Sequence, residues 1–166
     1  MSYTVLYEKF AQWLDEILKG DFPDNTAALV FNLYEHFDQE HCWYAELGFC
    51  ECFDADDKTG DWACYAKLCE PVFMWDSDTE WEAAQNTAEK LVSKYLSDGR
   101  YSKDIMKLHG VGVGFAEGDL KLVYINNNSQ AECSEYPRYD PDRSKELIEQ
   151  KAQQVFDFIM KKQNDK

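Results

Sequence analysis

The sequence predicts an α+β fold: a mostly antiparallel sheet of about five strands with helices on one face, in the order α-β-β-β-α-β-β-α, as one domain over 1–166. Three observations predict it. Three segments carry apolar residues at spacings of three and four, the signature of an amphipathic helix. The stretches between them are short, rich in β-favouring residues and alternate with period two. The strands come in runs instead of alternating one for one with helices. Ten Phe, ten Tyr and five Trp furnish the core such a domain needs.

The first helix spans about Tyr3 to Lys19, with Tyr3, Tyr7, Phe10, Trp13, Leu14, Ile17 and Leu18 on one face. Ser2 caps its start, Gly20 ends it and Pro23 forbids continuation. Three strands follow, over 27–35, 42–53 and 62–69. In the second, Trp43, Ala45, Leu47, Phe49 and Phe53 point one way, and Tyr44, Glu46 and Cys50 the other. The third sets Trp62, Cys64, Ala66 and Leu68 on one side. The second helix opens with Ser77 and Glu80 at capping-box spacing and closes at Asp98-Gly99. Its expected buried stripe is Trp81, Ala84, Ala88, Leu91, Val92 and Tyr95. After a strand pair comes a third helix over about Pro141 to Lys162, capped by Asp140.

The strand pair contains HGVGVGFAEGDLKLVY, residues 109–124, with glycines at 110, 112 and 114. A dinucleotide fingerprint needs Gly at relative positions one, three and six, between a strand and a helix. From Gly110 the sixth position is Phe115 and from Gly112 it is Glu117, and a strand follows each. Period two explains the run instead. Val111, Val113 and Phe115 face the core, Gly110, Gly112 and Gly114 bare the backbone on the other face, and Glu117-Gly118 turns the hairpin. A bare face implies close packing by a helix, an aromatic ring or a ligand, with packing expected.

Net charge is −15 and unevenly placed. From Glu35 to Glu82 fourteen acids face two bases, Lys58 and Lys67, a balance of −12; the other 118 residues hold eighteen acids and fifteen bases, −3. This sign excludes phosphate-tracking binding to nucleic acid. It suits a basic protein partner, with Trp43, Tyr44, Trp62, Tyr65, Trp75 and Trp81 lying in the same acidic third. The expected partner-binding residues are Asp38, Glu40, Asp54, Asp56, Asp57, Asp61, Asp76 and Asp78 for attraction, with Trp62 and Trp75 as anchors.

No stretch approaches the ~20 apolar residues of a membrane span, and the first twenty residues read as a helix and not a secretory signal, so a cytoplasmic location without a membrane partner is expected. The six cysteines then read as reduced thiols. No cofactor, metal site or catalytic residue is expected. Asp54, Asp56, Asp57 and Asp61 resemble a calcium loop only until the sixth and twelfth positions, which are Thr59 and Tyr65. No Gly-x-Ser-x-Gly elbow is present, and a Cys–His pair such as Cys42 with His109 depends on the two meeting in space.

CFDADDKTGDWAC at 52–64, GVGVGFAEGDLKLVY at 110–124 and the acidic one-domain α+β layout together make a pattern. It resembles the small acidic immunity proteins of bacterial polymorphic-toxin and contact-dependent inhibition systems. The resemblance implies a non-catalytic protein that binds a cognate toxin, a nuclease foremost, and blocks its active site or assembly. The residues leave two alternatives: a small-molecule or metal-ion binder or enzyme using the Gly110–Gly114 face, and an adaptor whose charge serves solubility.

Overall fold

A computed structural model of the chain describes residues 2–19, 22–36, 42–57, 60–64, 66–77, 79–116, 118 and 120–127. The chain divides into two compact units, Met1–Cys133 and Ser134–Lys166, and every described residue belongs to the first. The helix expected over Pro141 to Lys162 lies outside the described residues.

Helix α1 is Tyr3–Leu18, with the Ser2 hydroxyl accepting from the Val5 N–H at its start. Strands β1 (Ala28–Glu35), β2 (Cys42–Cys50) and β3 (Lys67–Asp76) follow, then α2 (Trp81–Asp98), a single-turn α3 (Ser102–Ile105), β4 (Gly110–Phe115) and β5 (Lys121–Ile125). They build one five-stranded sheet in the order β3-β2-β1-β4-β5. Three of its pairings are antiparallel; β1 and β4 run parallel, with Ala28 opposite Gly110 and Phe31 opposite Val113. This is the α+β architecture expected, with a mixed sheet. The parallel pair follows from connectivity, because a helical crossover through α2 returns the chain in the direction of β1.

Both long helices cover one face. Leu6, Phe10, Leu14 and Leu18 of α1 and Ala84, Ala88, Leu91, Val92 and Tyr95 of α2 share one core cluster. Their sheet partners in it are Leu29, Phe31 and Leu33 of β1, Trp43, Leu47 and Phe49 of β2, Phe73 and Trp75 of β3, and Val111 and Val113 of β4. Period two along the strands meets periods three and four along the helices, so each contributes its apolar side to one core.

The opposite, outer face is half covered. The segment after β2 folds back across it: Phe53 lies over Gly110, Ala66 over Gly48, and Gly60 touches Leu120, which in turn lies over Gly112. A Cβ at Gly110 would come 2.2 Å from a Phe53 ring carbon, so glycine is required there by packing. The glycine run is therefore a strand whose bare face receives an aromatic ring and a leucine.

Several sequence expectations need correction. The third strand was placed at 62–69, but Asp61–Ala63 is a short 3-10 turn. Gly60 has φ of 73°, and N–H groups of Ala63, Cys64 and Ala66 bond carbonyls three residues back, so the alternation of Trp62, Cys64 and Ala66 is not that of a strand. The second strand ends at Cys50, before Phe53. No capping box forms: the N-cap of α2 is Glu80, without a side-chain cap bond, and the Ser77 hydroxyl pairs with Thr79 at 2.8 Å.

Candidate functional site

The expected partner-binding residues that are described fall on two stretches of chain, the segment between β2 and β3 and the end of β3. Asp38, Glu40 and Asp78 lie outside the described residues. Asp54, Asp56, Asp57 and Asp61 sit on the segment folded over the outer face, between β2 and β3. Asp76 faces Cys42 at one end of β2, while Lys67 faces Phe49 near the other. Those ends are about 20–25 Å apart at ~3.3 Å per residue.

The two expected anchors are core residues. Trp62 is 2% exposed and packs edge-on to Phe53 at 5.0 Å; Trp75 is 4% exposed and stacks on Phe73 at 5.8 Å. Neither ring can meet a partner without leaving the core, because Trp62 fills the space above the glycine-bearing face and Trp75 points toward the helices. The exposed tryptophan is Trp81, at 53%, with its ring edge-on to Phe115 at 6.1 Å and Glu80 and Glu82 beside it in sequence. Its spacing fits the buried stripe of α2, but it stands at the first helical position, at the end of that stripe.

Cysteine chemistry finds no support in the placement of Cys42 and His109. The His109 N–H donates to Ala27 O, next to the Ala28–Cys50 pairing, whereas Cys42 begins β2 at the opposite end of the sheet. Burial, then the neighbouring Asp76, pushes the Cys42 thiol up from its ordinary value. Burial, then the nearby Cys52 and Cys64, pushes Cys50 up to about 12. Among the described residues no three His, Cys, Asp or Glu side chains are grouped to hold a metal ion. No helix among them is long and apolar enough to cross a membrane.

The uncovered half of the outer face holds a cleft of about 290 Å³, bordered by Asn32 and Tyr34 of β1, by Gly60, Cys64 and Leu68, and by Leu120 beyond β4. Asn32 is paired across the strands with Glu46, and Tyr34 with Tyr44, so the four side chains make a two-by-two block on this face. The Tyr34 and Tyr44 rings are stacked, 4.9 Å apart and 14° from parallel. Both tyrosines, Asn32 and Glu46 are half-buried. The Tyr34 hydroxyl is hydrogen-bonded to Glu46.

The cleft lies in a negative field. Tyr34 is held above its usual phenol range by burial, then by the Glu46 carboxylate. Cys64 is held above the usual thiol range by partial burial, then by Asp61 and Asp57. Both shifts favour neutral over anionic forms, so the cleft disfavours a thiolate nucleophile or an anionic ligand; burial is the larger cause, and the nearby carboxylates add a negative contribution. No Lys or Arg is among the described residues lining it. Two of the described lysines pair with acids elsewhere, Lys121 with Glu89 at 2.8 Å and Lys94 with Asp98 at 2.5 Å.

Of the predicted residues, Asp61 and Asp57 act on the lining Cys64, while Asn32 and Tyr34, which line the cleft, and Tyr44 and Glu46, which contact Tyr34, are those that sequence reasoning did not single out as binding residues. Their signal was present in Asn-x-Tyr at 32–34 and Tyr-x-Glu at 44–46, polar and aromatic groups alternating on the side of each strand away from the apolar set. No protein family, characterised protein or solved structure matches the chain.

Proposed function

We propose that this is a non-catalytic acidic binding protein whose partner is a basic protein, the role an immunity protein plays toward a cognate toxin domain, a nuclease foremost. One observation carries the reading: a cleft on the outer face bordered by Tyr34, whose ring stacks on Tyr44, with the carboxylates of Glu46, Asp61 and Asp57 acting on its Tyr34 and Cys64. Charge of this kind accelerates encounter with a cationic surface, and half-buried rings supply contact area that holds the complex. The surplus of −12 in the segment that builds β2, β3 and the covering loop supports the same sign of partner. Exposed Trp81, beside Glu80 and Glu82, offers a second aromatic contact with acidic neighbours.

The test is a binding and activity measurement against the protein encoded by the adjacent reading frame. The expected result is a one-to-one complex that abolishes the partner's activity. Its association rate should fall at least tenfold as salt rises from about 0.05 M to about 0.5 M, over which the screening length shrinks roughly threefold. A rate that does not change across that range, or a complex that leaves the partner fully active, overturns the proposal.

A further inference from the structure

The open cleft has the chemistry of a particular side chain, and this step rests on the binding-protein reading above. We infer that it receives a single arginine side chain of the basic partner. The stacked pair Tyr34–Tyr44 presents a half-exposed aromatic platform at 4.9 Å ring separation. A planar, weakly hydrated guanidinium stacks on such a platform better than a compact ammonium does. Glu46 stands diagonally across from Tyr34 and accepts its hydroxyl hydrogen bond. A carboxylate has about four lone-pair positions, so capacity remains for the guanidinium fork. Asn32, the direct cross-strand neighbour of Glu46, adds an amide oxygen on the same row.

The walls fit the stem of the side chain. Leu68 and Leu120 border the cleft with apolar surface, along which three methylenes can lie while the charged head reaches the floor. At about 290 Å³ the space falls at the lower bound of sites for small organic ligands, roughly 300–1,000 Å³. One long side chain with its waters fits this space. Complementarity of charge selects among side chains, since Asp61 and Asp57 lie near enough to act electrostatically on Cys64, which lines the cleft.

The probe is N-acetyl-arginine amide titrated into the full chain and followed by backbone amide chemical shifts. Its neutral isostere, N-acetyl-citrulline amide, and N-acetyl-lysine amide serve as controls. Saturable shifts are expected at residues 32, 34, 46 and 64, with a dissociation constant on the order of millimolar. Citrulline should bind at least tenfold more weakly, and lysine measurably more weakly than arginine. Glu46→Gln and Tyr44→Leu, each verified as folded by its melting curve, should each weaken arginine at least fivefold.

Equal response to citrulline, equal response to lysine, indifference to both substitutions, or shifts confined to Asp54–Asp61 and Asp76–Glu82 overturns the arginine site. If arginine fails in this way while the salt-sensitive partner complex still forms, only the cleft assignment falls and the binding-protein reading stands. If the partner complex also fails, both fall.

Discussion

Tyr95 is fully buried between the two long helices, and its hydroxyl donates to Asp15 Oδ1 at 2.5 Å. Burial, then the hydrogen bond to Asp15, raises its pKa well above the ordinary 10.0. The neutral phenol is therefore the native form, and an unfolded chain releases that proton first. The stability this supplies is fully present below about pH 10 and is lost as pH rises from there through the folded-state value. Tyr7, raised by burial and by Asp98, acts with the same sign. Tyr95→Phe should cost roughly 0.5–1.5 kcal/mol at neutral pH through the lost hydrogen bond. It should also lose stability less steeply than the parent above about pH 10. Parallel slopes for the two proteins in alkaline thermal melts would refute the assignment. At this scale the sequence was a poor guide to exposure. Trp62, Trp75 and Trp81 are chemically equivalent in it, yet one fills the outer layer, one the helix-facing core, and one stands at the start of α2 at 53% exposure. Which indole faces water depends on where the covering segment lies, and no local pattern encodes that.

Helix α1 was legible because what specifies it is local, Ser2 at the cap and apolar spacings of three and four; its buried stripe is Leu6, Phe10, Leu14 and Leu18, so the expected face missed Leu6 and included Tyr3, which is exposed. Strands β1, β4 and β5 were legible for the same reason, since period two does not depend on partners. Strand β3 was not, because Pro71 interrupts it and Trp62–Leu68 alternates like a strand. An edge strand tolerates proline, and β3 is at the sheet edge, so the rule against proline in central strands does not apply to it. The covering segment that displaced the third strand leaves a testable mark on β4. Gly110→Ala places a methyl carbon 2.2 Å from the Phe53 ring, a rigid group held against Trp62. At Gly112 the corresponding contacts are 3.1–3.2 Å to the branched end of Leu120. Gly110→Ala should therefore cost about 1–3 kcal/mol in urea unfolding, as overpacking does, and Gly112→Ala distinctly less. Phe53→Leu should recover part of the Gly110→Ala loss; if it recovers nothing, the ring is not what the glycine accommodates.

Across the whole molecule the same carboxylates act on folding and on binding with opposite dependence on salt. The net charge of −15 opposes compaction, and the surplus is densest in the segment that supplies β2, β3 and the covering loop. Asp54, Asp56, Asp57 and Asp61 are close in sequence there with few bases to offset them, and the described lysines 19, 94 and 107 pair with acids within their own helix or turn. Salt that screens this repulsion should stabilise the fold. A gain of about 1 kcal/mol between about 0.05 M and about 0.5 M salt corresponds to a rise of roughly 2–4 °C in Tm for a chain of this size. The partner's association rate should meanwhile fall over the same range. Neutralising Asp54, Asp56, Asp57 and Asp61 together as asparagines should raise Tm at low salt and flatten its salt response. The same change should lower the association rate and its salt dependence. A solvated acidic turn that has no role in docking would move the first pair of quantities and leave the second untouched. The charge distribution was legible in the sequence; the placement of Asp54, Asp56, Asp57 and Asp61 on a covering segment was not, because it follows from the chain after β2 folding back over the sheet. Measuring melting and association on the one quadruple variant separates self-repulsion from recognition without any change to the core.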